Sequence, residues 1–188
     1  MPHERLGAFN DAVLAIVMTI IVLEFEAPDP LTAETLLGMW RDVLAYAISF
    51  FWLGAMWVNQ HNFWHRISRV TTPTILCDLV MLFFSSFFPL TTHMVADNFW
   101  NPLAQVTYGV VILLVTSANV VLYARLRADN EQVEELPQGI LGSSRNMALD
   151  IALKLVGITL SATVFPPAML CSVLITLCCI VIPQQLKE

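Results

Sequence analysis

Charge is what this chain has least of. Of its 188 residues only 13% are charged, and nine Lys+Arg against fifteen Asp+Glu give a formal net charge of -6. Soluble domains run nearer ~25% charged residues, so an ordinary aqueous domain is excluded. The shortage of basic residues removes the electrostatic footprint that nucleic-acid binding needs. Cysteine offers no chemistry either. Cys77, Cys171, Cys178 and Cys179 sit inside apolar runs with neither a Cys-x-x-Cys nor a metal-ligand spacing, and they read as reduced packing residues. A Thr-Val-Gly-Tyr-Gly stretch is also missing, which excludes the carbonyl filter loop of ordinary potassium channels.

Apolar sequence fills the space: 57% of residues are hydrophobic and the mean hydropathy is +0.69. Runs of ~20 apolar residues, the length a spanning helix needs, recur six times. They cover Leu6 to Phe25, Thr35 to Asn59, Pro73 to Val95, Pro102 to Ala124, Asn146 to Phe165 and Ala168 to Ile182, the last two being short. Thr32 or Asp29 is placed to cap the approach to the second, and Thr72 to cap the third. Pro166 and Pro167 force a break before the sixth, and Pro183 ends it. The chain therefore reads as an all-α, polytopic membrane protein of six transmembrane helices forming one domain over residues 1–188. A cleaved signal peptide fits poorly, because Ala12 to Leu23 is followed by Glu24-Phe25-Glu26 and not by a small-x-small site.

If the six helices alternate, Arg5, Arg66, Arg69, Arg125, Arg127, Arg145 and Lys187 fall on one side and only Arg41 on the other. This asymmetry puts both termini in the cytoplasm. The far side collects Glu24, Glu26, Asp29, Glu34, Asp42 and Asp97, an acidic face that attracts cations or simply keeps the outer loops soluble. The one long polar connection, from Arg125 to Arg145, contains Glu131, Glu134, Glu135, Pro137 and Gly139 and shows no repeat or second domain.

Ionisable groups inside a membrane are costly, so each is a functional candidate with a partner to be named. Lys154 follows Asp150 by four residues, which puts both on one helix face and predicts a local ion pair. Asp11 has no such neighbour. Arg5, six residues earlier, points elsewhere, so the partner of Asp11 must come from another helix. Trp57, His61, Trp64 and His65 form a strip at the end of the second helix and are its natural neighbours. His61 and His65 also have zinc-like spacing, but no third ligand or HExxH pattern completes a site. Asp78 lies deep enough in the third helix to need His61, Arg5 or Asn10.

On the first helix Ile16, Ile20 and Leu23 recur at i, i+4 and i+7, with Thr19 beside them, while Asp11, Ala15, Met18 and Val22 occupy a face roughly opposite. With Asp11 tied to the second and third helices, the aliphatic stripe looks away from its own subunit. It faces either lipid or a symmetry axis shared with copies of itself.

These residues carry a family resemblance. Arg5-Leu-Gly-Ala-Phe9-Asn10-Asp11 is similar to the Arg-x-x-x-Phe-Ser-Asp that opens the first helix in the transmembrane protein 175 family, the endosomal and lysosomal potassium channels with small six-helix prokaryotic relatives. Trp57 and His61 match its Trp-x-x-x-His pattern, and Ser85-Ser86-Phe87-Phe88-Pro89-Leu90 resembles the end of its third helix. Two positions depart from the pattern: Asn10 replaces the usual serine, and Asp78 stands where a neutral Asn is expected, adding a buried acid near Asp11.

The resemblance implies a homotetrameric channel for potassium and other monovalent cations, lined by the first helix of each subunit, without a cofactor, in a prokaryotic inner membrane. Carried onto this sequence, Ile16, Ile20 and Leu23 face the pore, with Thr19 as a hydroxyl ring and Glu24 and Glu26 at the outer mouth. Aliphatic rings of this kind gate by dewetting. Arg5, Phe9, Asn10, Asp11, Trp57, His61 and Asp78 would fasten the pore helix to its scaffold. Rival readings are a proton-coupled secondary transporter using Asp11, Asp78 and His61 as a relay, a membrane enzyme built on Asp11, His61 and His65, and a scaffold without transport.

Overall fold

A computed structural model describes residues 3–64, 66–67, 69–132 and 144–185, and these are helical apart from short connections. Helix α1 spans His3–Leu23, a short α2 spans Ala33–Gly38, and α3 spans Trp40–Trp64. They are followed by α4 (Thr72–Ser85), α5 (Phe88–Asp97), α6 (Pro102–Asp129), α7 (Ser144–Thr163), α8 (Ala168–Thr176), a π-helical turn at Leu177–Val181 and α9 (Ile182–Gln185). Five segments are long and apolar enough to cross a membrane, α4 and α5 acting together as one, and a shorter apolar helix runs Ala168–Val181.

Interruptions in the helices have local causes. Thr32 caps α2 through a capping box with Thr35, so the cap expected for the second spanning helix belongs to this short helix, and α3 begins only at Trp40. The third run breaks at Ser86 and Phe87 because Pro89, at the start of α5, has no N–H to continue the ladder. Its N-cap position is Thr71, one residue before the expected Thr72. The final helix continues through Pro183 where an end was expected. The π-turn just before it widens the backbone and takes up the clash a proline imposes on the preceding turn.

Helices α3 and α6 also run further than the apolar pattern, to Trp64 and Asp129. The end of α6 is pinned to the α3–α4 connection and the first turn of α4. Asn130 pairs with the Arg69 backbone in both directions, accepting from its N–H at 2.9 Å and donating to its carbonyl at 2.8 Å. Asp129 Oδ2 accepts from the Thr71 N–H and hydroxyl and from the Thr74 hydroxyl. At the opposite end an aromatic cluster joins the start of α3 to the α5–α6 and α7–α8 connections: Trp40 meets Phe99 at 5.2 Å, Phe99 meets Trp100 at 5.5 Å, and Trp100 meets Phe165 at 5.9 Å. Arg41 lies over the Trp40 ring at 5.4 Å. Such amphipathic rings are what a membrane–water boundary selects.

Polar bridges hold the interior. Thr92 donates to Ser49 at 2.8 Å and Ser49 meets the Tyr108 hydroxyl at 2.9 Å, linking α5, α3 and α6. Lys154 donates to Asp150 at 2.6 Å, the expected i,i+4 pair, and also to Thr116 on α6 at 2.8 Å. In the α7–α8 hairpin Ser161 donates to the Pro166 carbonyl and accepts from the Met169 N–H. Gly157 lets these two helices touch: a Cβ there would stand 2.2 Å from Ser172 Oγ.

Candidate functional site

The site is built where the N-terminal half of α1 crosses α3 and α4. Helix α1 packs on α3, α4 and α5 through buried Leu6, Asn10, Leu14, Val17 and Ile21. These recur at helical spacing and define its inner face. This corrects one expectation: the packed side is not the Asp11, Ala15, Met18 and Val22 face, since Ala15 and Val22 are exposed. Neighbouring helices selected the face that carries Leu6, Leu14, Val17 and Ile21 together with one amide, Asn10.

Two hydrogen bonds fasten the N-terminal half of α1. Trp57 Nε1 on α3 donates to Asp11 Oδ1 at 2.8 Å, which supplies the interhelical partner Asp11 requires. Asn10 Nδ2 donates to Asp78 Oδ1 on α4 at 2.6 Å, and both residues are fully buried. His61 lies against Trp57, ring centroids 5.2 Å apart, and so shapes the pocket around the indole. Arg5 is exposed and makes no hydrogen bond or ion pair among the described residues, and Phe9 is exposed as well. The structure therefore brings together Asn10, Asp11, Trp57, His61 and Asp78 and leaves Arg5 and Phe9 outside the hydrogen-bonded cluster. His65 lies outside the described residues, as do Lys187, the side chain of Arg145 and residues 133–143 of the long connection. Among the described residues there is no cluster of His, Cys, Asp or Glu able to hold a metal.

The aliphatic stripe lies on the other side of α1. Ile16 is 57% exposed and Leu23 77%. Thr19 is exposed too, its hydroxyl donating back to the Ala15 and Ile16 carbonyls at 2.9 and 3.0 Å. This fixes the proton inward and leaves the oxygen lone pairs turned outward. Ile20 is half-buried, because Ile16 and Ile20 line an open cleft of about 400 Å³ with Glu24, Ser86, Pro89 and Leu90. The α4–α5 break thus helps form the flank of α1. Sequence reasoning assigned it no part in the site, although Pro89 inside an apolar run marks the place. Glu24 and Glu26 are exposed just beyond the end of α1.

This cluster coincides with a known family. Residues 5–89 match the model of the endosomal/lysosomal potassium channel TMEM175. A potassium channel of Chryseobacterium sp. (strain P1-3) is 31% identical over 140 residues, covering 72% of each chain. The chain belongs to the TMEM175 family. That family is described as one of potassium channels, and this member is a multi-pass, all-helical membrane protein. Its fold matches the crystal structure of a lysosomal potassium-selective channel TMEM175 homolog from Chamaesiphon minutus, with a TM-score of 0.72 at 24% identity, over 98% of this chain and 97% of that one. The endosomal/lysosomal proton channel TMEM175 of Gallus gallus is 28% identical over 132 residues, 62% of this chain but only 26% of that protein. The TMEM175 match spans α1 to the first residues of α5, and so contains both fastening bonds.

Proposed function

We propose that this protein is a potassium-permeable cation channel in which copies of α1, four in a homotetramer, surround the ion path and close it with aliphatic rings. One observation carries the reading. The face of α1 bearing Ile16, Thr19 and Leu23 is open in the single subunit, while the side bearing Asn10 and Leu14 is locked onto α3 and α4. A helix held from behind and bare in front suits a shared axis. Four Ile20 side chains, with Ile16 and Leu23 as further rings, would form a constriction that water leaves, and ions that cannot keep their hydration do not pass. Thr19 oxygens offer the one polar ring on that face. Glu24 and Glu26 raise the local cation concentration at the outer mouth.

In this reading potassium and other monovalent cations are the permeant species, no cofactor is needed, and both termini lie in the cytoplasm of a prokaryotic cell. The relay alternative finds less support, since Asp11 and Asp78 each engage a different neutral partner and not one another.

The test is cation flux through liposomes reconstituted with Ile20→Asn. Wetting the narrowest ring raises potassium flux severalfold over wild type. Unchanged flux from an intact oligomer removes Ile20 from the gate, and a flux that follows only the proton gradient and saturates with substrate favours the transporter.

A further inference from the structure

The bond between Asn10 and Asp78 leaves two atoms over. Asp78 Oδ1 takes the Asn10 amide N–H at 2.6 Å, while Asp78 Oδ2 and Asn10 Oδ1 are both buried without a hydrogen-bond partner. The two unsatisfied atoms point one way. Both leftover atoms are acceptors as drawn, and they belong to the same two side chains. A carboxylate here would also be an uncompensated charge. The ion pairs among the described residues are Lys154–Asp150 and His93–Asp97, neither involving Asp78, and the other nearby acid, Asp11, is engaged by Trp57. Burying an unpaired carboxylate in a membrane-spanning bundle is among the most expensive things a protein can do.

We propose that Asp78 is a proton-binding site, occupied at neutral pH, at which the bound proton joins α4 to α1. One proton on Oδ2 removes the charge, turns that oxygen into a donor, and gives Asn10 Oδ1 the donor it lacks. The result is a reciprocal acid–amide pair: Asn10 donates to Asp78 Oδ1 and Asp78 Oδ2 donates to Asn10. A single ligand, the proton, both cancels the charge and supplies the missing donor; a water molecule would leave the carboxylate charged, and among the described residues no cluster of His, Cys, Asp or Glu surrounds the pair to hold a metal ion. The inference concerns the α1–α4 junction and holds whether or not α1 lines an ion path.

Infrared difference spectroscopy on the full-length protein in lipid nanodiscs at neutral pH decides it, comparing wild type with Asp78→Asn. The expected result is loss of a carboxylic-acid C=O band that shifts in D₂O. Loss of carboxylate stretching bands instead means Asp78 is ionised and overturns the proposal. Asn10→Ser, which removes the amide, should move the same acid band, and an unmoved band dissociates Asn10 from the proton. A thermal midpoint in Asp78→Asn within a few degrees of wild type is also expected, because an amide–amide pair replaces the acid–amide pair. A collapse of the midpoint would mean that the negative charge itself is stabilising, against the proposal.

Discussion

Trp57 and Asp11 meet across the α3–α1 interface, the indole N–H 2.8 Å from a carboxylate oxygen that is only half-buried. A neutral donor to a charged acceptor is among the stronger hydrogen bonds available, and here it joins helices whose remaining contacts are mostly aliphatic.

Trp57→Phe keeps the ring packing and deletes only the N–H. Loss of a hydrogen bond to a charged group costs about 1.5–3 kcal/mol, so the thermal midpoint in detergent should fall by several degrees. Asp11→Ala should lose as much or more, and should reduce recovery of the assembled protein before it alters ion permeation, whereas Asp11→Asn keeps an acceptor and loses less. Full thermal stability in Asp11→Ala would show that this contact does not hold α1.

Lys154 and Asp150 give a second expectation. The ammonium is buried, bonded to Asp150 at 2.6 Å and to Thr116 at 2.8 Å, and lies 5.0 Å from the Trp52 ring centre. Lys154→Met leaves an acid buried alone and should cost about 3–5 kcal/mol, while removing both charges in Asp150→Leu with Lys154→Met should recover most of that loss. Thermal unfolding of the single and double variants checks it. A double variant no better than the single one would place the pair's value in specificity and not in charge balance.

Gly157 makes a steric prediction. Because a Cβ would lie 2.2 Å from Ser172 Oγ and 2.8 Å from Ser172 Cβ, even Gly157→Ala must push α7 and α8 apart, at a cost of about 1–3 kcal/mol. Adding Ser172→Gly removes both obstructing atoms and should restore the wild-type midpoint. Failure of that rescue would mean the strain falls on Met169, whose sulfur is the next atom at 3.3 Å.

The two departures from the family pattern show how far reading residues one at a time reaches. Asn10 and Asp78 were separately visible as polar side chains in apolar runs, and burial made each demand a partner. Asn10 was one of three candidate partners for Asp78; that it is the one bonded depends on α1 and α4 lying side by side. The Asp150–Lys154 pair was legible because a helix alone fixes the i,i+4 distance, and Pro166-Pro167 because a proline pair cannot continue a helix. The extension of α3 to Trp64 and of α6 to Asp129 was not legible. Apolar residues run out before these helices do, because backbone hydrogen bonding continues where tertiary partners hold the last turn: Tyr123 against Phe63 in α3, and Arg69 and Thr71 against Asn130 and Asp129 in α6.

By itself the sequence determined that this chain lives in a membrane and crosses it repeatedly as helices, because long apolar runs can satisfy their backbone in hydrocarbon only by helical hydrogen bonding. It also determined that Asp11 needs a partner beyond its own helix. Only the tertiary structure decided which side of α1 packs inward, since hydrophobic periodicity on a helix greasy almost all round offers several equivalent faces. Shape complementarity with α3, α4 and α5 chose Asn10, Leu14, Val17 and Ile21, and that choice is what leaves Ile16 and Leu23 bare.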